Sequence, residues 1–501
     1  MYAMTSSKNL NVTLIFLFVF FISILNADFS ISTLDPIAEI KNFFGGILEI
    51  DISKTPTYFD AILNTIAIAI VAIFISSILG FFFALYFKYA LLRVSLAFTR
   101  AIHELFWALL FLQIFGLNTL TALLAIILPY SATLGKVYAE ILEEHDVFPK
   151  ELESKKASRI SLFLFTKLPD AMPHLISYTL YRFECALKST AILGFVGLTT
   201  LGYYLQGSFM QGFYGEVWLI LIIFYLIIAT IKFWFTKISA PFLLLASFLY
   251  LDDFSGFNMD NLIRFITIDV VPSPIRNELG TLKIYQWFEN IVMNELLPGI
   301  FNTLVLTQIA LIVTAVITLL SFPLVSKKFV SPSLRFGGNI LLVILRSTPE
   351  YILAYLFLQI FGPSMFPAVV ALALHNGAII GHIMGHQSNE LVLRADVTKR
   401  RMELYGFEVL PRIYGSFLAF LFYRWEVIMR ESAILGILGI HTLGFFIDSA
   451  IADIRLDKVV ILLFFTALLN ILVDYISRYV RNYLRLGSTI KSECSCRIFD
   501  K

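Results

Sequence analysis

The sequence runs to 501 residues, of which 58% are apolar and 15% charged, with 49 phenylalanines and a formal net charge of +2. An average soluble domain is about 45–50% apolar and about a quarter charged, so a single water-soluble core is excluded. The basic residues gather at the ends of apolar runs, where membrane topology needs them, and do not mark a nucleic-acid surface. Cys185 lies in an apolar run and Cys494 and Cys496 in the tail, a pattern that matches neither a disulfide framework nor a zinc spacing.

Apolar runs near the roughly 20 residues that cross a bilayer as a helix recur along the chain. They are continuous and do not alternate, which argues against a membrane β-barrel. Residues 10–25, "LNVTLIFLFVFFISIL", follow Lys8 and read as a retained first span, because no small-residue cleavage site comes after them. In the first half the expected spans are 10–26, 59–87, 97–116, 119–138, 174–197 and 216–235. In the second they are 238–251, 299–324, 338–361, 364–384, 414–440 and 458–476, giving an all-α membrane protein of about twelve spans.

The halves repeat. "RAIHELFWALLFLQIFG" (100–116) matches "RSTPEYILAYLFLQIFG" (346–362) at 10 of 17 positions, and "YRFECALKSTAILGFVGLTTLG" (181–202) matches "YRWEVIMRESAILGILGIHTLG" (423–444) at 11 of 22. Asn64–Thr65 opens a long apolar run in one half and Asn302–Thr303 in the other. The chain thus divides into a first repeat, 1–237 with its core at 59–235, and a second, 238–501 with its core at 299–480. Two parallel repeats imply a pseudo-twofold along the membrane normal.

Segments 28–57, with five acidic and two basic residues, and 252–298, with seven and three, are expected outside. Lys88, Arg93, Lys232, Lys237, Lys327, Lys328, Arg335, Arg478, Arg481 and Arg485 are expected inside, together with the polar loops near 139–173 and 386–413. Each of these loops runs into a Leu-Pro, Leu168–Pro169 and Leu410–Pro411, where the restriction on the residue before proline predicts the end of a short surface helix.

No phosphate-binding glycine loop is present; Gly135–Lys136 is followed by Val137 and lacks the upstream glycine. No metalloprotease or serine-hydrolase motif occurs either, so an enzyme is not expected. Within the membrane, Glu184 and Lys188, like Glu426 and Arg430, stand four apart with the acid first, the favourable order for an ion pair. Arg182 and Arg424 lie on the other side of the same helices. They either line a passage for an anion or satisfy carboxylates such as Glu104 and Glu350. His375, His382 and His386 share one helix face at spacings that suit a metal, but their counterparts are Pro129, Lys136 and Glu140, and no metal is expected.

The chain resembles the permease subunit of ABC importers of the phosphonate-transport family, here as two copies fused. The resemblance rests on "LGKVYAEILEEHD" (134–146), the two Leu-Pro pairs, "YRFE" with "AILGFVGLTTLG", and "RSTPE", "ALALHNGAIIG" (371–381) and "YRWEVIMRESAILGILG" (423–439), and covers about 59–235 and 299–480. It implies a multi-pass protein of the bacterial inner membrane. A pair of ABC ATPase subunits would grip the cytoplasmic loops, holding ATP and magnesium that this chain does not bind itself. A periplasmic or lipid-anchored binding protein would deliver a phosphonate-like anion. The loop residues it marks are Glu151, Ala157, Ser158, Leu168 and Pro169, then Ala395, Leu410 and Pro411. The family's loop has a Glu-Ala-Ala beginning and a glycine where this chain has Lys156 or Thr398, so the second loop departs further than the first. The competing reading from the residues alone is an ion-driven secondary transporter, with Glu104, Glu350 and the intramembrane histidines as proton carriers.

Overall fold

The computed structural model describes residues 7–31, 33, 35–145, 158–251, 257–394 and 400–484, and among them no strand occurs. The principal helices, in chain order, are α1 (Ser7–Leu25), α2 (Phe59–Leu85), α3 (Ala90–Ala101), α4 (Glu104–Phe115), α5 (Thr119–Glu144) and α6 (Leu168–Gly194). After them come α7 (Leu201–Met210), α8 (Tyr214–Ala229), α9 (Ser239–Tyr250), α10 (Leu297–Ser321) and α11 (Pro332–Ser347). The chain ends with α12 (Glu350–Phe361), α13 (Met365–Glu390), α14 (Leu410–Ser432), α15 (Leu443–Ala452) and α16 (Leu456–Tyr483). Among the described residues six helices are long and apolar enough to cross a membrane, or up to eight if each of two bent pairs counts as one crossing.

Those bent pairs correct two expected spans. The stretches 97–116 and 338–361 are not straight: α3 meets α4 at 91° and α11 meets α12 at 95°. The cause is local. Thr348 precedes Pro349, whose ring disfavours the helical conformation before it, and Thr348 is extended at φ −70° and ψ 122°. In the first repeat Ile102 is extended too, and the His103 ring caps α4 by accepting the Leu105 N–H at 3.2 Å. Both α4 and α12 end in the repeated heptapeptide, and its glycine explains part of the repetition. Gly116 and Gly362 sit at φ +79° and +85° with extended ψ, a conformation open to glycine alone, and each closes its helix by donating to the carbonyl four residues back.

The described chain packs as two compact units, 44–266 and 267–492, the latter also holding residues 1–43. In the 44–266 unit α2 lies along α5, with Ala69, Ala72, Ala122 and Ala125 fully buried, and α6, α7 and α8 pack in sequence around them. The 267–492 unit repeats this arrangement with α10 along α13, and α14, α15 and α16 in the corresponding places. The first helix of each sequence repeat packs away from its own repeat. Helix α1 lies on α10, with Phe16 against Phe422 and Trp425 at 4.9 and 5.2 Å between ring centres. Gln308 fixes that contact by donating to the Phe16 carbonyl at 3.0 Å. Helix α9 lies correspondingly on α2 in the 44–266 unit.

The Asn-Thr and Ala-Ile-Leu-Gly…Leu-Gly motifs meet in space. Asn64 donates to the Thr199 carbonyl at 3.0 Å, and Asn302 donates to the His441 carbonyl at 2.8 Å. The adjacent threonine hydroxyls accept the first N–H groups of α7 and α15. At the turn itself Gly202 lies so close to α6 that a Cβ on it would stand 1.7 Å from the Ala191 carbonyl oxygen.

Candidate functional site

Leu168–Pro169 and Leu410–Pro411 do not end a surface helix as expected; the helix runs through them. Leu168 and Leu410 are both helical, with φ −67° and −57°. The proline's missing N–H is absorbed by a wider turn just before it. Residues Phe163–Lys167 and Leu404–Val409 are π-helical, and the Leu168 and Leu410 N–H groups reach back five residues to the Phe163 and Tyr405 carbonyls. A π turn relieves the clash that a proline causes in a regular helix. The same device precedes Leu297–Pro298, where the Leu297 N–H reaches the Val292 carbonyl.

These turns leave matched apolar side chains exposed on the surface. Phe165 is 79% exposed and Phe407, at the equivalent position, 81%; Ile160 and Met402 form a second exposed pair. Ser158 caps the short helix before the first turn by accepting the Ser161 N–H at 3.1 Å. The expected loop residues Glu151, Lys156, Ala157, Ala395 and Thr398 lie outside the described residues. The second turn is anchored from beneath: Tyr405 donates to the Leu319 carbonyl at 3.1 Å and stacks on Phe322. Arg412 pairs with Glu408 at 2.7 Å and donates to the Val392 carbonyl. Lys328 Nζ donates to the Ser388 and Leu391 carbonyls; burial, then the nearby Arg412, lowers its pKa below the ordinary 10.5, with Glu408 opposing.

Along α6 the charged residues fall on different partners. Glu184 and Lys188 pair at 3.2 Å. Arg182 donates to the Tyr178 hydroxyl at 3.0 Å, and its guanidinium lies 5.5–5.9 Å from the rings of Tyr178, Tyr130 and Tyr181. Among the described residues Arg182 makes no ion pair with a carboxylate. On α14 the aromatic neighbour is used differently, since Arg481 of α16, not Arg424, lies over Tyr423 at 5.7 Å, in the field of Glu426.

Glu104 and Glu350 each stand at the start of the second helix of a bent pair, and each opens a buried polar cluster. Glu104 accepts from Ser189 at 2.6 Å and lies 3.3 Å from His103, and Ser189 in turn contacts the Tyr130 hydroxyl at 2.9 Å. Glu350 lies 3.8 Å from His375, while Asn376 donates to Glu431 at 3.0 Å. Repeat spacing equates Ser189 with Glu431 and Tyr130 with Asn376. His375 therefore joins residues of two other helices and not the other histidines of α13, of which His382 and His386 have ring centres 4.6 Å apart. Sequence reading missed His103, Ser189, Tyr130, Asn376 and Glu431. The exchange of Ser189 for Glu431 within an otherwise matching motif was the signal available.

No family model matches the chain, and no solved structure does. A phosphate-import permease protein of Mycolicibacterium smegmatis is 24% identical over 424 residues, 79% of this chain and 78% of the relative. A putative phosphite transport system permease protein of Stutzerimonas stutzeri is 33% identical over 137 residues, 27% of this chain and 52% of the relative. A putative cryptic phosphonate transport system permease protein of Escherichia coli is 34% identical over 92 residues, 18% of this chain but 75% of the relative. All are named as transport permeases and none as an enzyme. With its internal repeat and its membrane-length helices, the chain belongs to the phosphonate-type ABC transport permease family, as a multi-pass inner-membrane protein carrying two permease copies.

Proposed function

We propose that this chain forms the transmembrane passage of an ABC importer for a small phosphorus oxyanion, a phosphonate, phosphite or phosphate. The observation that carries the substrate class is Arg182. Its guanidinium is surrounded by three tyrosine rings and has no carboxylate partner among the described residues. A planar guanidinium binds tetrahedral oxyanions through two parallel hydrogen bonds, and tyrosine hydroxyls add donors. Arg424 at the equivalent place of the second repeat is assigned the same task.

The energy comes from a separate pair of ATPase subunits that bind ATP and magnesium. They grip the cytoplasmic π turns, with Phe165 and Phe407 as the apolar knobs, and a binding protein delivers the anion from outside. Closure of the ATPases rocks the two repeats, and the anion site faces each side in turn. The finer topology is twelve spans in two parallel repeats. Helices α6 and α14 belong to that number although their charges disqualify them by composition, and α8 and α9 belong to it although they are short.

The test is uptake of a labelled phosphonate by cells expressing the chain with an ATPase and a binding protein, with competing phosphate and phosphite and a catalytically dead ATPase as control. ATP-dependent uptake that Arg182→Gln abolishes, with the complex still assembled, supports the reading. Uptake that survives the dead ATPase and collapses with a protonophore replaces it with an ion-driven transporter.

A further inference from the structure

The geometry points to a divalent metal site in the second repeat, built by Glu350, His375 and Glu431. One donor atom from each of the three lies within 4.8 Å of the other two. The donors come from α12, α13 and α14, so one bound ion would tie three helices. All are enclosed: Glu350 is 8% exposed, His375 5% and Glu431 7%. A second observation concerns Asn376, which is fully buried. Its Nδ2 donates to Glu431 at 3.0 Å, which places the amide at the cluster, and its Oδ1 has no hydrogen-bond partner. A buried amide oxygen left without a donor is destabilising, and a cation coordinated there satisfies it.

The donor set fixes the class of ion. One imidazole, two carboxylates and an amide oxygen suit a first-row divalent ion such as zinc or manganese; thiolate-seeking ions find no sulfur, and calcium prefers oxygen alone. The first repeat holds the corresponding position differently. Glu104 faces Ser189, and Tyr130 and Pro129 stand where the second repeat has Asn376 and His375. The metal therefore belongs to one repeat only. His382 and His386 take no part.

The test uses purified full-length chain in detergent, incubated with zinc or manganese, passed into chelator-treated buffer and analysed by elemental mass spectrometry. The expected result is one equivalent per chain. Glu431→Ser, which writes in the first repeat's residue, and His375→Ala are each expected to weaken binding by at least about tenfold. Glu104→Gln and His382→Ala are expected to retain the ion. Size-exclusion chromatography checks folding, and Glu350→Gln, nearly isosteric, provides a second ligand variant if Glu431→Ser aggregates. In folded protein the unfolding midpoint rises on adding the ion, and the rise disappears in the ligand variants. A wild-type chain without metal overturns the assignment. So does metal that survives both His375→Ala and Glu350→Gln, or that departs with His382→Ala.

Discussion

The Thr65 hydroxyl accepts the Leu201 backbone N–H at 3.0 Å, and Thr303 accepts that of Leu443 at 3.1 Å. Each bond joins the second helix of a repeat to the turn that closes its charged helix. Both threonines are buried, so removing the acceptor strands an N–H away from water. Thr65→Ala and Thr303→Ala are each expected to lower stability by about 1–3 kcal/mol, and the serine variants to retain most of it. Thermal unfolding of the purified chain reads the effect; an unchanged midpoint in both alanine variants shows that water replaces the hydroxyl.

Gly202→Ala is expected to prevent accumulation of folded protein, because its Cβ would stand 1.7 Å from the backbone oxygen of Ala191. Gly207 lies on the same helix with nothing within 4 Å of a built Cβ, so Gly207→Ala is the matched control. It is expected to be neutral or to gain up to about 1 kcal/mol from helix propensity. Monodisperse Gly202→Ala protein with wild-type stability would mean that α6 and α7 separate at little cost.

Phe165→Ser and Phe407→Ser are expected to leave the fold intact, since both rings are exposed. Each should cost about 2 kcal/mol in binding of the proposed ATPase partner, the size of an interface hot spot. Co-purification of the ATPase and its stimulation by the binding protein are the readouts. Normal coupling in the double variant removes these rings from the proposed interface.

Lys328 gives an alkaline test. Burial lowers its pKa in the folded protein below 10.5. Between the two values the unfolded chain holds the proton that the folded chain has released, so stability rises with pH across that interval. The unfolding midpoint of the wild type should therefore gain on that of Lys328→Met as pH climbs toward 10.5. A difference that stays flat through the alkaline range would show that the ammonium is solvated.

Much of the fold was legible because bilayer crossing imposes a length and an apolar run, and α2, α5, α10, α13 and α16 obey it. The bend at Ile102–His103 was not legible. Both flanks are apolar, and its cause is a side-chain cap and not a breaker residue. Leu168–Pro169 misled in the other direction, because the restriction before a proline is a local preference that a wider turn satisfies without ending the helix. The charged pair Glu184–Lys188 follows from spacing on one helix. The partnership of Glu350 with His375 and Glu431 joins three helices, and one-dimensional spacing holds no record of it.

The exchange of first helices gives the two units different histories during synthesis. The 44–266 unit has the pieces it needs once residue 266 leaves the ribosome. Helix α1, made before the other helices described, has its partners Gln308, Tyr414, Phe422 and Trp425 far downstream. It must wait in the bilayer until the last third of the chain arrives. A ribosome that stops early would release a finished first unit and an orphan helix with Phe16 and Thr13 facing lipid, a state that membrane quality control can recognise.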